Sequence, residues 1–280
     1  MGNVDANVVR DFGLEWQRFD QSATPPEELE RNFEAHFSLF PWNRLPEYSC
    51  GFDLGCGTGR WAQFVAPRVG QLHCIDPSEA IDVAKAKLAD QHNCVFHQAD
   101  VDHLPFEDAS MDFGYAIGVL HHVPDTAEGI KACASKLKPH APLLLYLYYA
   151  FDNRPRWYRW LWSISNLLRR GISRLPHPVK RVTCDLIAGC VYFPLARGAW
   201  LAEKCGIPIS HWPLAEGYRN AAFYTMRTDA LDRFGTRLEQ RFTKTQIRDM
   251  MLAAGLVDVQ FREDLPYWCA IGYKGDGRPA

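Results

Sequence analysis

The chain has 280 residues, of which 47% are hydrophobic, and a formal net charge of −2. A chain of this length can bury a large core, and no stretch approaches the roughly twenty apolar residues that span a bilayer. The N-terminus contains Asp5 and Asp11 but no apolar segment, and the nine cysteines include no C-x-x-C pair. We therefore expect a cytoplasmic protein without a secretory signal, disulfides or structural zinc.

The first 48 residues interleave aromatic and charged side chains, and Pro25-Pro26-Glu27-Glu28 has the composition of a helix start. We predict that residues 1–48 form a helical cover near the mouth of a ligand site. The alternative is a scaffold extension that merely packs on the core.

A glycine-rich turn follows the first predicted strand, residues 51–54. Asp53 to Gly59 has the sequence D-L-G-C-G-T-G, which predicts a strand, a tight loop and a helix that begins near Arg60. Glycines 55, 57 and 59 permit positive φ angles and let a ligand approach the backbone closely. Dinucleotide-binding loops have the different spacing G-x-G-x-x-G, and Asp53 would repel a pyrophosphate but attract an ammonium group. The loop therefore favours a cofactor that carries an amino acid.

Three further predicted strands end at polar residues. Residues 71–75 lead into Asp76, which lies about 20 residues after the first loop glycine, where dinucleotide-binding proteins place an acid on the ribose hydroxyls. Residues 93–99 lead into Asp100-Val101, and residues 111–120 lead into His121-His122-Val123-Pro124-Asp125. Ser78 is interpreted as a helix N-cap, and Asp125 with Glu128 as a capping pair.

In these four segments the chain resembles the class I S-adenosylmethionine-dependent methyltransferases, in their small-molecule, type 11-like branch. The first motif of that family has the form [DE]-x-G-x-G-x-G, and small-molecule members carry an L-H-H-[VIL]-x-D element, which matches residues 120–125. The resemblance implies S-adenosylmethionine as cofactor and methyl transfer as activity. No catalytic metal is expected, because the sequence has no compact His/Asp/Glu cluster after the fifth strand beyond the lone Asp152. The cofactor-binding residues that we expect are Asp53, Gly55, Cys56, Gly57, Gly59, Asp76, Pro77, Asp100, Val101 and Gly118.

The remaining elements predict the fold. Strands and helices alternate from 51 to 150, and the apolar run 142–149 is typical of a central parallel strand. Residues 243–254 form a predicted helix with a capping box at Thr243 and Gln246, a stop at Gly255 and two strands after it. With the resemblance, we expect an α/β fold: a doubly wound, mostly parallel seven-stranded sheet of the Rossmann-like methyltransferase type, with an antiparallel C-terminal strand and a helical lid insertion.

We expect residues 49–151 and 229–280 to form the methyltransferase core and residues 152–228 to form a helical lid over the acceptor site. Residues 153–181 of this insertion contain eight basic residues and no acidic residue. An aromatic and aliphatic stripe with helical spacing runs through Trp157, Trp160, Leu161, Ile164, Leu167 and Leu168. Residues 154–181 are thus expected to bind an anionic or amphiphilic substrate or to contact a membrane surface; in the alternative, the stripe packs on the core and the arginines are solvated.

A hydroxyl acceptor needs a base, because an alcohol is a poor nucleophile until its proton is removed. His122 and His121, at the carboxyl end of the fourth strand, are the catalytic candidates, followed by His211, Tyr224 and Asp229. Tyr149, His211 and Tyr224 are the predicted substrate contacts, among a larger set of aromatic residues that includes Tyr148. The alternative for the histidine pair is structural: one imidazole orders the loop and the other packs.

The sequence therefore predicts methyl transfer to a small molecule, at an oxygen of a sugar, a polyketide-like compound or a lipid-linked acceptor. The glycine spacing disfavours a nicotinamide-dependent oxidoreductase. An RNA or protein methyltransferase and a non-catalytic binding protein of the same fold remain alternatives, although the near-neutral charge argues against a stable nucleic-acid partner. The oligomeric state is not indicated.

Overall fold

The computed structural model describes residues 2–209 and 212–276. The strands are β1 (Cys50–Leu54), β2 (Gln71–Ile75), β3 (Cys94–His97), β4 (Phe113–Ile117), β5 (Pro142–Tyr146), β6 (Leu256–Phe261) and β7 (Cys269–Lys274). The α-helices are α1 (Ala6–Arg18), α2 (Pro26–His36), α3 (Ala62–Val65), α4 (Ala80–Lys87), α5 (Thr126–Lys136), α6 (Arg156–Ile172), α7 (His177–Ile187), α8 (Phe193–Lys204), α9 (Ala215–Tyr218), α10 (Phe223–Gly235) and α11 (Lys244–Ala253).

The strands form one sheet in the order β3-β2-β1-β4-β5-β7-β6. Neighbouring strands from β3 to β5 are parallel, whereas β7 runs antiparallel to both β5 and β6. The predicted α/β class, the mostly parallel sheet and its antiparallel C-terminal strand are confirmed. The strand order reverses between β1 and β4, and ligands of open α/β sheets bind at the carboxyl ends of the strands at such a switch point.

Two apolar clusters cover the two faces of the sheet. At the centre, β1 and β4 fit together because each places a phenyl ring over a glycine of the other. A Cβ on Gly51 would lie 2.4 Å from the Phe113 ring, and one on Gly114 would lie 2.2 Å from the Phe52 ring. Both rings are fully buried. Substituting either glycine would therefore force these central strands apart.

Helix termini show where local sequence signals hold and where they fail. The capping box of Thr243 and Gln246 is formed at the start of α11. The helix after the glycine loop begins at Ala62, two residues after the predicted start near Arg60. Helix α4 begins at Ala80, so Ser78 lies one residue before the N-cap position, where the Glu79 side chain forms no capping bond. The Ser78 hydroxyl accepts from the Ala80 N–H, as predicted for a cap, and donates to Asp76.

The capping prediction for α5 holds in part. The Asp125 side chain accepts a hydrogen bond from the Glu128 N–H. The Asp125 N–H, which a capping box would give to Glu128, donates to the Asn3 side chain. Asn3 thereby connects the start of the chain to the loop after β4.

The chain divides into two compact units. The first, residues 1–20, 30–150 and 238–280, contains the sheet. Within it, α1 packs on α4, with Gly13 against Ser78 and a hydrogen bond from Gln17 to Glu79. Rings of Phe33, Phe37 and Phe40 are buried in the apolar cluster on one face of the sheet. The N-terminal segment thus supplies both a helix beside α4 and part of the core.

The second unit consists of residues 21–29 and 151–237 and is helical. It includes residues 229–237, because α10 continues unbroken to Gly235. Arg227 pairs with Asp185, and Glu28 accepts hydrogen bonds from the Ala222 N–H and the Thr225 hydroxyl. Its role as a lid over an acceptor site stays a prediction.

The apolar stripe of α6 is not a core face. Its six side chains are all classed as exposed, and the opposite face of the helix is the buried one. The interpretation of this stripe as a packed face is therefore wrong. In the described part of the chain, no helix is both long and apolar enough to cross a membrane.

Candidate functional site

The glycine loop follows β1 at the switch point of the sheet. Gly55, Gly57 and Gly59 have φ angles of 71°, 54° and 75°, a region that side chains other than glycine rarely adopt. A Cβ on Gly55 would lie 2.3 Å from Val119, in the loop after β4. The backbone of the loop is fixed by hydrogen bonds from the Gly55 and Cys56 N–H groups to the Ile75 carbonyl. The predicted positive φ angles are observed.

Asp76 follows β2 and holds the glycine loop from the side. One carboxylate oxygen accepts from the Gly57 N–H at 2.9 Å, and the other accepts from the N–H and hydroxyl of Ser78 at 2.9 and 2.6 Å. Burial raises the pKa of Asp76, although these hydrogen bonds oppose the rise. Asp76 therefore stabilises the backbone of the glycine loop, in addition to its predicted contact with ribose.

Asp53, the last residue but one of β1, is 1% exposed, and neither of its carboxylate oxygens completes a hydrogen bond. Burial raises its pKa to about 8; the neighbouring Tyr115 hydroxyl opposes this rise, and the charge of Asp76 adds to it. A buried carboxylate without donors is costly unless a partner compensates it. The ammonium group of a ligand would supply such a hydrogen-bond donor to Asp53.

The remaining predicted cofactor residues lie along the same edge of the sheet. Asp100 accepts hydrogen bonds from the N–H groups of Asp102 and His103 and contacts the His103 ring, so it caps a short turn that begins with buried Val101. Pro77 directly follows Asp76. Gly118, after β4, has a φ of 80°, and a Cβ there would meet nothing within 4 Å.

These features fit the cofactor that the resemblance implies. The uncompensated carboxylate of Asp53 suits the amino-acid part of S-adenosylmethionine, the loop glycines let a ligand approach the main chain, and open space adjoins Gly118. Helix α1 borders the same loop, because a Cβ on Gly57 would lie 3.5 Å from the Trp16 indole nitrogen.

His121 and His122 occupy a short turn after β4, and both are nearly inaccessible to solvent. The Nδ1 atom of His122 is 2.7 Å from the Leu238 carbonyl oxygen. Because a carbonyl only accepts, Nδ1 carries the proton and the other ring nitrogen, Nε2, has the lone pair in the neutral imidazole. His122 therefore has the tautomer that a proton acceptor at Nε2 requires.

The second histidine differs in its surroundings. The His121 ring stacks on Tyr148, with ring centroids 3.8 Å apart, and neither of its nitrogens forms a hydrogen bond. Burial, followed by the charges of His122 and Arg241, holds its pKa well below the usual value. A side chain that resists protonation so strongly is a poor base at neutral pH. The structure thus distinguishes two neighbours that the sequence treats as a pair.

A buried ion pair adjoins the histidines, and nothing in the sequence pattern indicated it. Arg241 donates to Glu239 at 2.8 Å and to the Tyr149 carbonyl, and its guanidinium lies 5.0 Å from the centroid of the Tyr148 ring. Burial lowers the pKa of Arg241, but the adjacent Glu239 outweighs burial and the pKa is raised. The bridge between Tyr149 and Phe242 brings this pair to the end of β5.

The predicted substrate residues belong to different units. The Tyr149 ring packs beside Tyr267 in the first unit. Tyr224 belongs to the second unit, where its hydroxyl accepts from the Gln21 N–H, and Asp229 is in the same helix, α10. His211 lies outside the described residues. His36, which the sequence did not single out, contacts the rings of Trp61 and Tyr146, and desolvation lowers its pKa to about 4.

The part of the chain that contains the glycine loop and the histidine pair is similar to known proteins. Residues 52–145 match the family model of a methyltransferase domain. The ubiquinone biosynthesis O-methyltransferase of Acinetobacter baylyi is 29% identical over 187 residues, which are 59% of this chain and 76% of that protein. The demethylmenaquinone methyltransferase of Staphylococcus aureus is 38% identical over 92 residues, which are 31% of this chain and 38% of that protein.

A solved structure of human N-acetylserotonin methyltransferase in complex with S-adenosylmethionine has a similar fold. Its TM-score is 0.53 at 17% identity, and the alignment covers 94% of this chain and 56% of that one.

Proposed function

We propose that an oxygen atom of a small molecule is the methyl acceptor of this chain, which is a class I S-adenosylmethionine-dependent methyltransferase. When bound, S-adenosylmethionine supplies a methyl group on a positively charged sulfur. The protein then has to hold the acceptor in line with that methyl group and to remove the acceptor's proton.

The residues that we propose for holding the cofactor lie around the glycine loop. The Asp53 carboxylate would accept the cofactor ammonium, because it is buried and neither of its oxygens completes a hydrogen bond, although the Tyr115 hydroxyl is a neighbour. Asp76 retains lone pairs for the ribose hydroxyls, since the oxygen that binds the Gly57 N–H accepts only that hydrogen bond. Asp100 and Val101 would border the adenine, as the family resemblance implies.

The observation that carries the oxygen assignment is the hydrogen bond from His122 to the Leu238 carbonyl. It fixes the ring and the position of the Nδ1 proton, so that Nε2 carries the lone pair of the neutral imidazole, and an alcohol or phenol acceptor needs such a base. The strongly lowered pKa of His121 makes that residue the weaker candidate and suits a role in packing against Tyr148. We therefore propose His122 as the base and His121 as a residue that positions it.

Aromatic side chains favour a planar acceptor among the classes that the sequence left open. Tyr148 contacts both histidines, and the Phe12 ring meets His122 at a centroid distance of 4.9 Å. The buried guanidinium of Arg241 adds positive charge beside these rings, which would stabilise an acceptor oxygen as it loses its proton. A phenol-like hydroxyl suits this set better than a sugar hydroxyl does.

The names of two relatives refer to quinones. One is named an O-methyltransferase of ubiquinone biosynthesis and the other a demethylmenaquinone methyltransferase. We infer a small aromatic ring, free or lipid-linked, as the acceptor class for this chain.

The test is a panel of catechols, sugars and amines incubated with tritiated S-adenosylmethionine. We expect label in hydroxylated aromatic compounds. Asp76→Ala serves as the control, because losing hydrogen bonds to a charged group should weaken cofactor binding by about 1.5–3 kcal/mol and reduce all transfer alike. Label confined to amines, or to RNA or protein added in parallel, would reject the proposal.

A further inference from the structure

Helix α6 presents its most apolar face to solvent. Trp160 and Leu167 are each 69% exposed, and Leu168 is 59% exposed. Trp157, Leu161 and Ile164, which complete the stripe, are each more than 40% exposed. Because these positions recur every three or four residues, all six lie on one side of the helix. A patch of this kind on a single helix is typical of an interaction surface.

The opposite face of α6 is the one that packs within the second unit, and it is the more polar face. Ser165 accepts from Arg233, and the guanidinium of Arg169 donates to the backbone carbonyls of Thr236 and Arg237. Trp162 contacts Phe151. In a helix that only covers a core, the apolar face would be turned inward. The apolar face of α6 therefore points outward instead of inward, and packing within the second unit does not explain the apolar stripe.

Positive charge borders this stripe. Arg156, Arg159, Arg170 and Arg174 are exposed, and at 100° per residue they project on one flank of the apolar face. Residues 153–184 contain no acidic side chain, although the whole chain has a net charge of −2. The charge is thus concentrated where the apolar face is exposed.

From this combination we propose that α6 is an interfacial helix that binds an anionic lipid surface. The apolar side chains would enter the boundary between headgroups and acyl chains, and the arginines would contact phosphate groups. The inference does not depend on the identity of the methyl acceptor.

Charge complementarity selects this occupant over a second copy of the chain. A two-fold symmetric contact through this face would bring the arginine flanks of both copies together without acidic partners on α6. An anionic lipid surface instead presents negatively charged headgroups next to apolar acyl chains. Helix α7 carries a further exposed apolar row, Val179, Val182 and Leu186, which would add to the same kind of contact.

The experiment measures sedimentation of the full chain with vesicles of phosphatidylcholine alone and of phosphatidylcholine mixed equally with phosphatidylglycerol. We expect binding to the mixed vesicles that weakens as salt is added. The charge variant, Arg156→Gln with Arg159→Gln and Arg170→Gln, should lose on the order of 100-fold in partitioning, at about fivefold for each basic residue. The apolar variant, Trp160→Ser with Leu167→Ser, should lose at least about tenfold.

Matched controls come from the first unit. Arg31→Gln with Lys85→Gln and Lys131→Gln removes three exposed charges elsewhere, and Leu252→Ser removes an exposed leucine. Both should bind vesicles as the unaltered chain does. All variants should keep their thermal stability and cofactor affinity, because the substituted side chains are exposed and none of them is among the residues proposed to hold the cofactor.

Three results would overturn the proposal. One is a failure of the unaltered chain to sediment with mixed vesicles at low salt. Another is a loss of binding in the control variants as large as that in the α6 variants. A concentration-dependent dimer that only the α6 variants abolish, without vesicle binding, would assign this face to a second copy.

Discussion

At the scale of single residues, Asp53 links the protonation of the site to ligand binding. Its pKa of about 8 means that the ligand-free protein holds this proton at neutral pH. Pairing with an ammonium group requires the ionised carboxylate, so binding should release a proton. Below pH 8, cofactor affinity should rise with pH, by up to about tenfold per pH unit.

Calorimetry in buffers of different ionisation enthalpy measures this release directly. We expect proton release and rising affinity from about pH 6 to pH 7.5, above which the α-amino group of the ligand, with an ordinary pKa of about 7.7–8.0, begins to lose its own proton. Asp53→Asn should abolish the release and weaken binding. Equal apparent enthalpies in all buffers would show that Asp53 does not change its protonation on binding.

The same pKa has a consequence for the ligand-free fold. Because the folded pKa lies above the unfolded value of 3.8, the stability that Asp53 contributes is complete below pH 3.8 and is lost as pH rises to about 8. Asp53→Asn should remove this fall. Denaturant unfolding of both proteins at about pH 5 and pH 8.5 gives the comparison.

His122 can be tested without removing the bond that orients it. The side-chain amide of His122→Asn can still donate to the Leu238 carbonyl, but it offers no base in place of Nε2. If His122 is the base, kcat should fall by about 10²–10⁴-fold while the cofactor Kd stays constant. A variant that retains most of its turnover would show that the residue only orders the loop.

At the scale of elements, the strand predictions agree with the structure because buried parallel strands leave a continuous apolar signal. Residues 71–75 coincide with β2, and the helix ending at Gly255 has its predicted capping box. The short helix α3 begins two residues after its predicted start near Arg60, and no side-chain cap marks that start. The Arg241–Glu239 pair had no signal, because a bridge between distant segments brings it to β5.

Helix α1 offers a test of the predicted cover. Trp16 lies against Gly57 of the cofactor loop, and Asn3 fixes the start of this segment by bonding the backbone of Asp125. Trp16→Ala should weaken cofactor binding by roughly tenfold, because the indole forms one wall of the loop and its apolar contacts would be lost.

Leu14→Ala is the matched control, since Leu14 lies on the same helix and is exposed. It should bind the cofactor normally. Unchanged or tighter binding by Trp16→Ala, measured by calorimetry in a variant that remains folded, would exclude α1 as part of the site and leave it as a scaffold.

At the scale of the whole molecule, the sheet and the helical insertion followed from pattern and resemblance, but the orientation of α6 did not. The helices of the second unit are visible in the sequence, whereas the orientation of α6 is not, because helical spacing shows which residues share a face and not which face is buried. The chain leaves the sheet after Ala150 and returns at Leu238, and the Ala150 N–H donates to the Phe242 carbonyl just beyond that return. Residues 151–237 of the second unit are thus inserted in the chain between two segments of the first unit that are hydrogen-bonded to each other.

The most direct test of the proposed acceptor chemistry is to locate the transferred methyl group. The full chain is incubated with labelled S-adenosylmethionine and a cell extract, and the labelled product is isolated and fragmented by mass spectrometry. We predict a small aromatic product methylated at oxygen, and its loss when His122→Asn replaces the unaltered chain. Label in RNA or protein, or a methyl group on carbon or nitrogen, would contradict this account.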